Sequence, residues 1–141
     1  MILLVEDNQD DIALTLRALK KAKIANEVVI AEDGQKALDY LFNPDLRADR
    51  SKNKNPAVIL LDLKLPKIDG LEVLRRLRAH PQTRLLPVVI LTSSKEEHDL
   101  VEGYSLGANA YMRKPVDFLQ FSEAIQQLGL FWLVLNEPPP A

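Results

Sequence analysis

The sequence predicts an α/β fold: a doubly wound, five-stranded parallel sheet with helices on both faces. Short apolar runs alternate with amphipathic segments along the chain, which is the pattern of βαβ units. The runs are nearly continuous in apolar character, as strands covered on both faces are. Acidic, hydroxyl and basic residues gather where those runs end.

The first run, residues 1–5, ends on Glu6-Asp7. Ile12, Leu16 and Leu19 follow at helical spacing and predict one apolar face for the first helix. Further strands are expected at 27–31, 57–62, 86–92 and 109–113, with helices filling the gaps. Asp69 with Glu72 and Ser94 with Glu97 have capping-box spacing and predict two helix starts. Phe118, Phe121, Ile125 and Leu128 repeat at helical spacing and predict the last of five helices. One segment breaks the rhythm. Asn43 to Pro56 is polar, with Pro44, Asp45, Arg47, Asp49, Arg50, Lys52 and Lys54, and reads as a long solvated loop, which costs little to close. At the other end Leu128 to Leu135 is strongly apolar, and Pro138-Pro139-Pro140 then forbids regular structure.

At 141 residues the chain is most simply one domain, with 47% apolar and 27% charged residues. A formal charge of -2 and scattered basic residues give no electrostatic reason to bind nucleic acid. Zero cysteines exclude disulfides, thiol catalysis and Cys-ligated metals, and fit a reducing cytosol. The apolar start is too short for a signal peptide, and no stretch approaches the ~18 apolar residues of a membrane span. A cytoplasmic protein without membrane partners is the expectation. The chain starts directly on its first strand, so a few further residues ahead of Met1 are also expected.

Four sites stand at expected carboxyl ends of strands: Glu6-Asp7, Asp62, Thr92-Ser93 and Lys114-Pro115. Singly each has an ordinary explanation, since acids after strands cap helices, Thr suits strands and Lys-Pro marks turns. Jointly they describe one pocket, because open α/β sheets bind their ligands at that edge. Carboxylates there repel by about 4 kcal/mol per pair at ~4 Å and an effective dielectric near 20. Such a cluster requires a cation, and oxygen-only ligands favour Mg2+ or Mn2+.

Four stretches carry a resemblance: Leu-Leu-Val-Glu-Asp (3–7), Leu-Leu-Asp-Leu-Lys-Leu-Pro-Lys-Ile-Asp-Gly (60–70), Val-Ile-Leu-Thr-Ser (89–93) and Gly-Ala-Asn-Ala-Tyr-Met-Arg-Lys-Pro (107–115). Together they resemble the receiver domain of two-component response regulators, from Ile2 to about Leu130. The resemblance implies the flavodoxin-like strand order 2-1-3-4-5, with residues 1–130 as the receiver and 131–141 as a tail. It implies that Asp62 is the phosphoacceptor, that Asp7 binds Mg2+ directly, and that Glu6 acts mainly through metal-bound water. The backbone carbonyl of Lys64 would be the remaining protein ligand. Lys114 and Thr92 would complete the catalytic set, and Tyr111 would move with Thr92 as the switch. Lys114-Pro115 resembles the family's cis peptide. The implied donor is a phosphohistidine on a sensor histidine kinase.

The residues support those roles physically. A carboxylate attacks an anionic phosphoryl group only when cations neutralise the repulsion, and Mg2+ with Lys114 supplies three positive charges against three carboxylates. The Thr92 hydroxyl and backbone N–H groups after Asp62 suit phosphoryl oxygens. Pro66 and Gly70 should shape the loop after Asp62, flanked by Lys64 and Lys67. Small Ser93 leaves the site accessible.

A transcriptional regulator would continue into a DNA-binding domain, whereas this chain ends within about a dozen residues of its last helix. Output by protein contact is therefore expected. The polar loop and the Phe-Trp-Leu tail are similar to stand-alone regulators paired with bacterial phytochromes, which makes Phe131, Trp132 and Leu133 the expected homodimer interface. Docking of the tail on its own domain would hide the same surface. Alternatives are a phosphorelay shuttle, a pseudo-receiver binding partners without phosphorylation, and a Mg2+-dependent aspartyl-phosphate phosphatase. The last would carry a second acid two residues after Asp62, where Lys64 stands. A flavodoxin-like nucleotide binder would carry Gly-rich phosphate loops where this chain has acids.

Overall fold

The computed structural model describes residues 1–24, 26–43, 55–92 and 103–113, with single positions 119, 123, 124, 126 and 127. The elements run β1 (Ile2–Val5), α1 (Gln9–Lys21), β2 (Val28–Ala31), α2 (Gly34–Phe42), β3 (Val58–Leu61), α3 (Gly70–Ala79), β4 (Val88–Thr92) and β5 (Ala110–Arg113). All pair in parallel in the order β2-β1-β3-β4-β5. All five expected strands form, although the fourth starts two residues late. The Leu86 N–H turns back to the Thr83 carbonyl, and Pro87 has no N–H to offer a neighbour.

Alternation along the strands divides the core into two layers. Ile2 and Leu4 of β1, Val58 and Leu60 of β3, and Val89 and Leu91 of β4 pack with Ile12, Ala18 and Leu19 of α1. Leu3, Val5, Ile59, Leu61, Val88 and Ile90 point the other way, onto Leu38 and Leu41 of α2 and Val73, Leu74 and Leu77 of α3. β1 and β3 are buried along their whole length because they lie inside the sheet. β2 is an edge strand, and its Ile30 is 38% exposed, so cover on both faces does not extend to the sheet margin.

The face of α1 differs from the one expected. Ile12 and Leu19 are buried, but Leu16 is 36% exposed, and Thr15 and Ala18 complete the inward stripe. Leu16 flanks that stripe and lines a groove of about 300 Å3 with Leu19, Lys20, Lys23, Ile24 and Val28. A Thr fits inside because its hydroxyl donates to the Asp11 carbonyl at 2.8 Å. The expected capping box at Asp69 is half made. Asp69 Oδ1 accepts the Glu72 N–H at 2.9 Å, but the Glu72 carboxylate turns to Arg75 and Arg76 instead of closing the box. Helical backbone is present at 103–105, 119, 123, 124, 126 and 127. Ser94, Glu97, Phe118, Phe121, Ile125, residues 44–54 of the polar loop and the tail lie outside the described residues.

Arg78, near the end of α3, ties the lower half of the domain together. Its guanidinium donates to the carbonyls of Arg84 (3.0 Å), Leu86 (2.8 Å) and Gly107 (2.7 Å), and to Asn109 Oδ1 at 3.2 Å. Asn109 Oδ1 also accepts the Val88 N–H at 2.8 Å, so one side chain braces the entries to both β4 and β5. Burial lowers the pKa of the Arg78 guanidinium. Arg78→Ala would strip three carbonyls of their donor, that of Leu86 in a part-buried setting, and urea unfolding should report a loss of about 1–3 kcal/mol. A loss below about 1 kcal/mol would mean that water replaces the side chain.

Candidate metal centre

Val5 pairs with Leu61, so β1 and β3 end level and the next residue of each strand stands at the same edge of the sheet. The Asp62 N–H still donates to the Val5 carbonyl at 3.0 Å, and the Glu6 N–H to the Ala31 carbonyl at 3.0 Å. Glu6 and Asp62 therefore continue the ladder, with backbone positions set by the sheet. Glu6, Asp7 and Asp62 each offer a carboxylate oxygen, and these oxygens lie within 4.8 Å of one another. Glu6 is 1% and Asp62 7% exposed, while Asp7 faces solvent.

Two turns orient the acids. Asn8 caps α1, its Oδ1 accepting the Asp11 N–H at 3.0 Å, while its own N–H donates to Glu6 Oε2 at 3.3 Å. One edge of Glu6 is thus held at a helix start, where the dipole favours negative charge. After β3 the chain folds into a tight loop. The Lys64 N–H donates to Asp62 Oδ1 at 3.3 Å, and the Gly70 N–H to the Leu63 carbonyl at 2.9 Å. Gly70 must be glycine: any Cβ there would overlap the carbonyl oxygen of Asp62 itself. Gly70 supports the site as expected, by closing the loop onto Asp62.

Three like charges so close repel by about 3 kcal/mol per pair at an effective dielectric near 20. Two of them are nearly buried, which weakens the help water can give. The donor set is all oxygen and partly open, which fits a hard divalent cation of the Mg2+ or Mn2+ kind.

The remaining expected residues divide into two groups. Thr92 closes β4 with its backbone paired to Arg113, and Tyr111 sits in β5 opposite Ile90. Both therefore stand on strands at the site's side of the sheet order, one and two strands beyond β3. Lys114, Pro115, Ser93 and the tail residues Phe131, Trp132 and Leu133 lie outside the described residues. Lys67 does not stand free as a solvated charge beside the site: its ammonium lies 3.5 Å from the buried Asp33 carboxylate. Burial pushes the Asp33 carboxyl up, but the Lys36 N–H and the Lys67 charge outweigh it and hold the pKa below the usual carboxylate value.

Asn8 and Asp33 are the site-shaping residues that the sequence reading passed over. Each is a side-chain cap just before a helix, and Asn or Asp ahead of an amphipathic run was the available signal.

Comparison with known proteins gives one answer. The family model described as the response regulator receiver domain matches residues 2–126. Response regulator Rcp1 of Synechocystis sp. is 37% identical over 141 residues, covering 100% of this chain and 94% of its own length. The crystal structure of phosphorylated RcpA, a cyanobacterial phytochrome response regulator, superposes with a TM-score of 0.87 at 37% identity, covering 99% of this chain and 97% of its own. An Mn2+-bound form of Rcp1 gives 0.85 at 36% identity, with 99% and 98% covered. The bacteriophytochrome response regulator RtBRR gives 0.75 at 58% identity, with 99% and 83% covered.

A divalent ion that binds the folded state alone should stabilise it by about 2.7 kcal/mol at a hundredfold excess over its Kd. Thermal melts with MgCl2 or MnCl2 should therefore rise clearly above melts in NaCl of equal ionic strength. Equal melting in the three salts would mean that the carboxylates hold no ion.

Proposed function

The chain belongs to the response regulator receiver domain family, and on that premise we propose that Asp62 accepts a phosphoryl group from a sensor histidine kinase in a divalent-metal-dependent reaction. The observation that carries this reading is the convergence of the Glu6, Asp7 and Asp62 carboxylates within 4.8 Å at the carboxyl edge of the sheet. In this reading Asp7 and Asp62 ligate the ion directly, with Glu6 through water and the Lys64 carbonyl completing the protein ligands. Mg2+, or Mn2+ as in the bound form of Rcp1, supplies the positive charge that lets a carboxylate meet an anionic phosphoryl group.

An Asp62 carboxylate oxygen forms the new O–P bond as the P–N bond of the phosphohistidine breaks. The bonding pair returns to the imidazole, which regains its proton from solvent. The product is an acyl phosphate on the protein itself, so the chain promotes only its own phosphorylation and, with water as the acceptor, its own dephosphorylation. The Lys114 ammonium and the Thr92 hydroxyl are assigned to phosphoryl oxygens, by electrostatics and positioning. Thr92 and Tyr111 form the switch: the added negative charge draws the hydroxyl in, and Tyr111 responds on the neighbouring strand.

Similarity to RcpA and RtBRR, both named as phytochrome response regulators, supports a bacterial phytochrome as the kinase. A cytoplasmic location goes with that partner, and no helix among the described residues is long and apolar enough to cross a membrane. Output is assigned to protein contact rather than to nucleic acid. The receiver spans residues 1–130, and Phe131, Trp132 and Leu133 of the 131–141 tail carry a homodimer interface.

Incubation with acetyl phosphate and Mg2+ should add one phosphoryl group per chain by intact mass, and Asp62→Asn should abolish the adduct. An unmodified wild-type mass would refute the reading. Trp132→Ala should move the size-exclusion profile toward monomer, whereas an unchanged profile would place the tail on its own domain.

A further inference from the structure

The loop between Asp62 and Gly70 is held from outside by the turn that starts α2. Asp33 caps that helix, with Oδ1 accepting the Lys36 N–H at 2.7 Å, while its Oδ2 stands 3.5 Å from Lys67 Nζ. Lys67 occupies the left-handed region at φ 66°, which L side chains enter only at a cost. Beside this pair the two segments touch through backbone: a Cβ on Gly34 would overlap the carbonyl oxygen of Ile68. The Ile68 N–H in turn donates to the Pro66 carbonyl at 2.8 Å. The chain from Asp62 to Gly70 is therefore clamped at its base by Gly70 and at its tip by Asp33, Gly34 and Lys67.

We propose that the Asp33–Lys67 ion pair positions the loop after Asp62 and so sets divalent-metal affinity at the carboxylate cluster. The inference rests on the phosphoryl-acceptor reading above and names a support for that same site. Neither residue belongs to the cluster, so the pair acts through backbone. The Lys64 N–H that orients Asp62 Oδ1, and the Lys64 carbonyl assigned to the metal, are carried by the segment the pair restrains. The Lys67 side chain is 66% exposed, and exposed pairs contribute little to global stability. Its left-handed backbone and its buried partner make sense as positioning instead.

The test is calorimetric titration of Mn2+ into wild type, Lys67→Met, Asp33→Asn and the double variant at low salt. Methionine keeps the side-chain stem and asparagine keeps the helix cap, so each change removes only one charge of the pair. Each single variant should bind Mn2+ about tenfold more weakly, as loss of an outer support does. The double variant should be no weaker than either single one. Lys67→Arg should restore wild-type affinity, and melting temperatures should stay within about 4 °C of wild type.

Long-range charge alone predicts opposite signs: losing Lys67 would tighten cation binding and losing Asp33 would weaken it. That pattern, or unchanged affinity in either single variant, would overturn the proposal. A wild-type protein that binds no Mn2+ would overturn the functional reading beneath it as well.

Discussion

The parallel pairing of β1 with β3, with Val5 opposite Leu61, is the constraint on which the rest of the site depends. It ends two strands level and places an acidic residue from each at the same edge of the sheet. Sheet hydrogen bonds to Glu6 and Asp62 fix those positions against the repulsion between them. Two buried apolar layers hold the sheet, so the cost of gathering three carboxylates is met by packing far from the acids. The charged site is tolerated by the core, and does not stabilise it.

A second level of organisation lies in the connections. Gly70 lets the loop after Asp62 return onto its own starting carbonyl, and Gly34 lets the β2–α2 turn reach the tip of that loop. At the other end of α3, Arg78 gathers carbonyl groups from the approaches to β4 and β5. These contacts join segments distant in the chain. They convert a generic α/β sheet into one whose carboxyl edge has a defined shape.

Apolar runs and amphipathic spacing were enough to predict all five strands, since burial on both faces leaves a continuous signal in β1, β3 and β4. The acids of the site were legible for a related reason, because charge directly after an apolar strand is conspicuous. Helix faces are less legible where one turn offers competing choices. Leu16 is as apolar as Leu19, yet the helix rotates it to the flank and buries Thr15 instead, whose hydroxyl finds a backbone carbonyl locally. The ion pair of Lys67 was not legible because its partner, Asp33, is 34 residues away in sequence.

By itself the sequence determined the fold class, the strand sequence and the identity of the three clustered acids, because periodicity and strand-end chemistry are local properties. Only the tertiary structure decided how closely the carboxylates meet, which turn braces the loop after Asp62, and what Arg78 does. Those outcomes depend on through-space distances between segments separated along the chain, and no local pattern encodes them. Parallel register brings Glu6 to Asp62, and the close backbone approaches at Gly34 and Gly70 give the edge its shape.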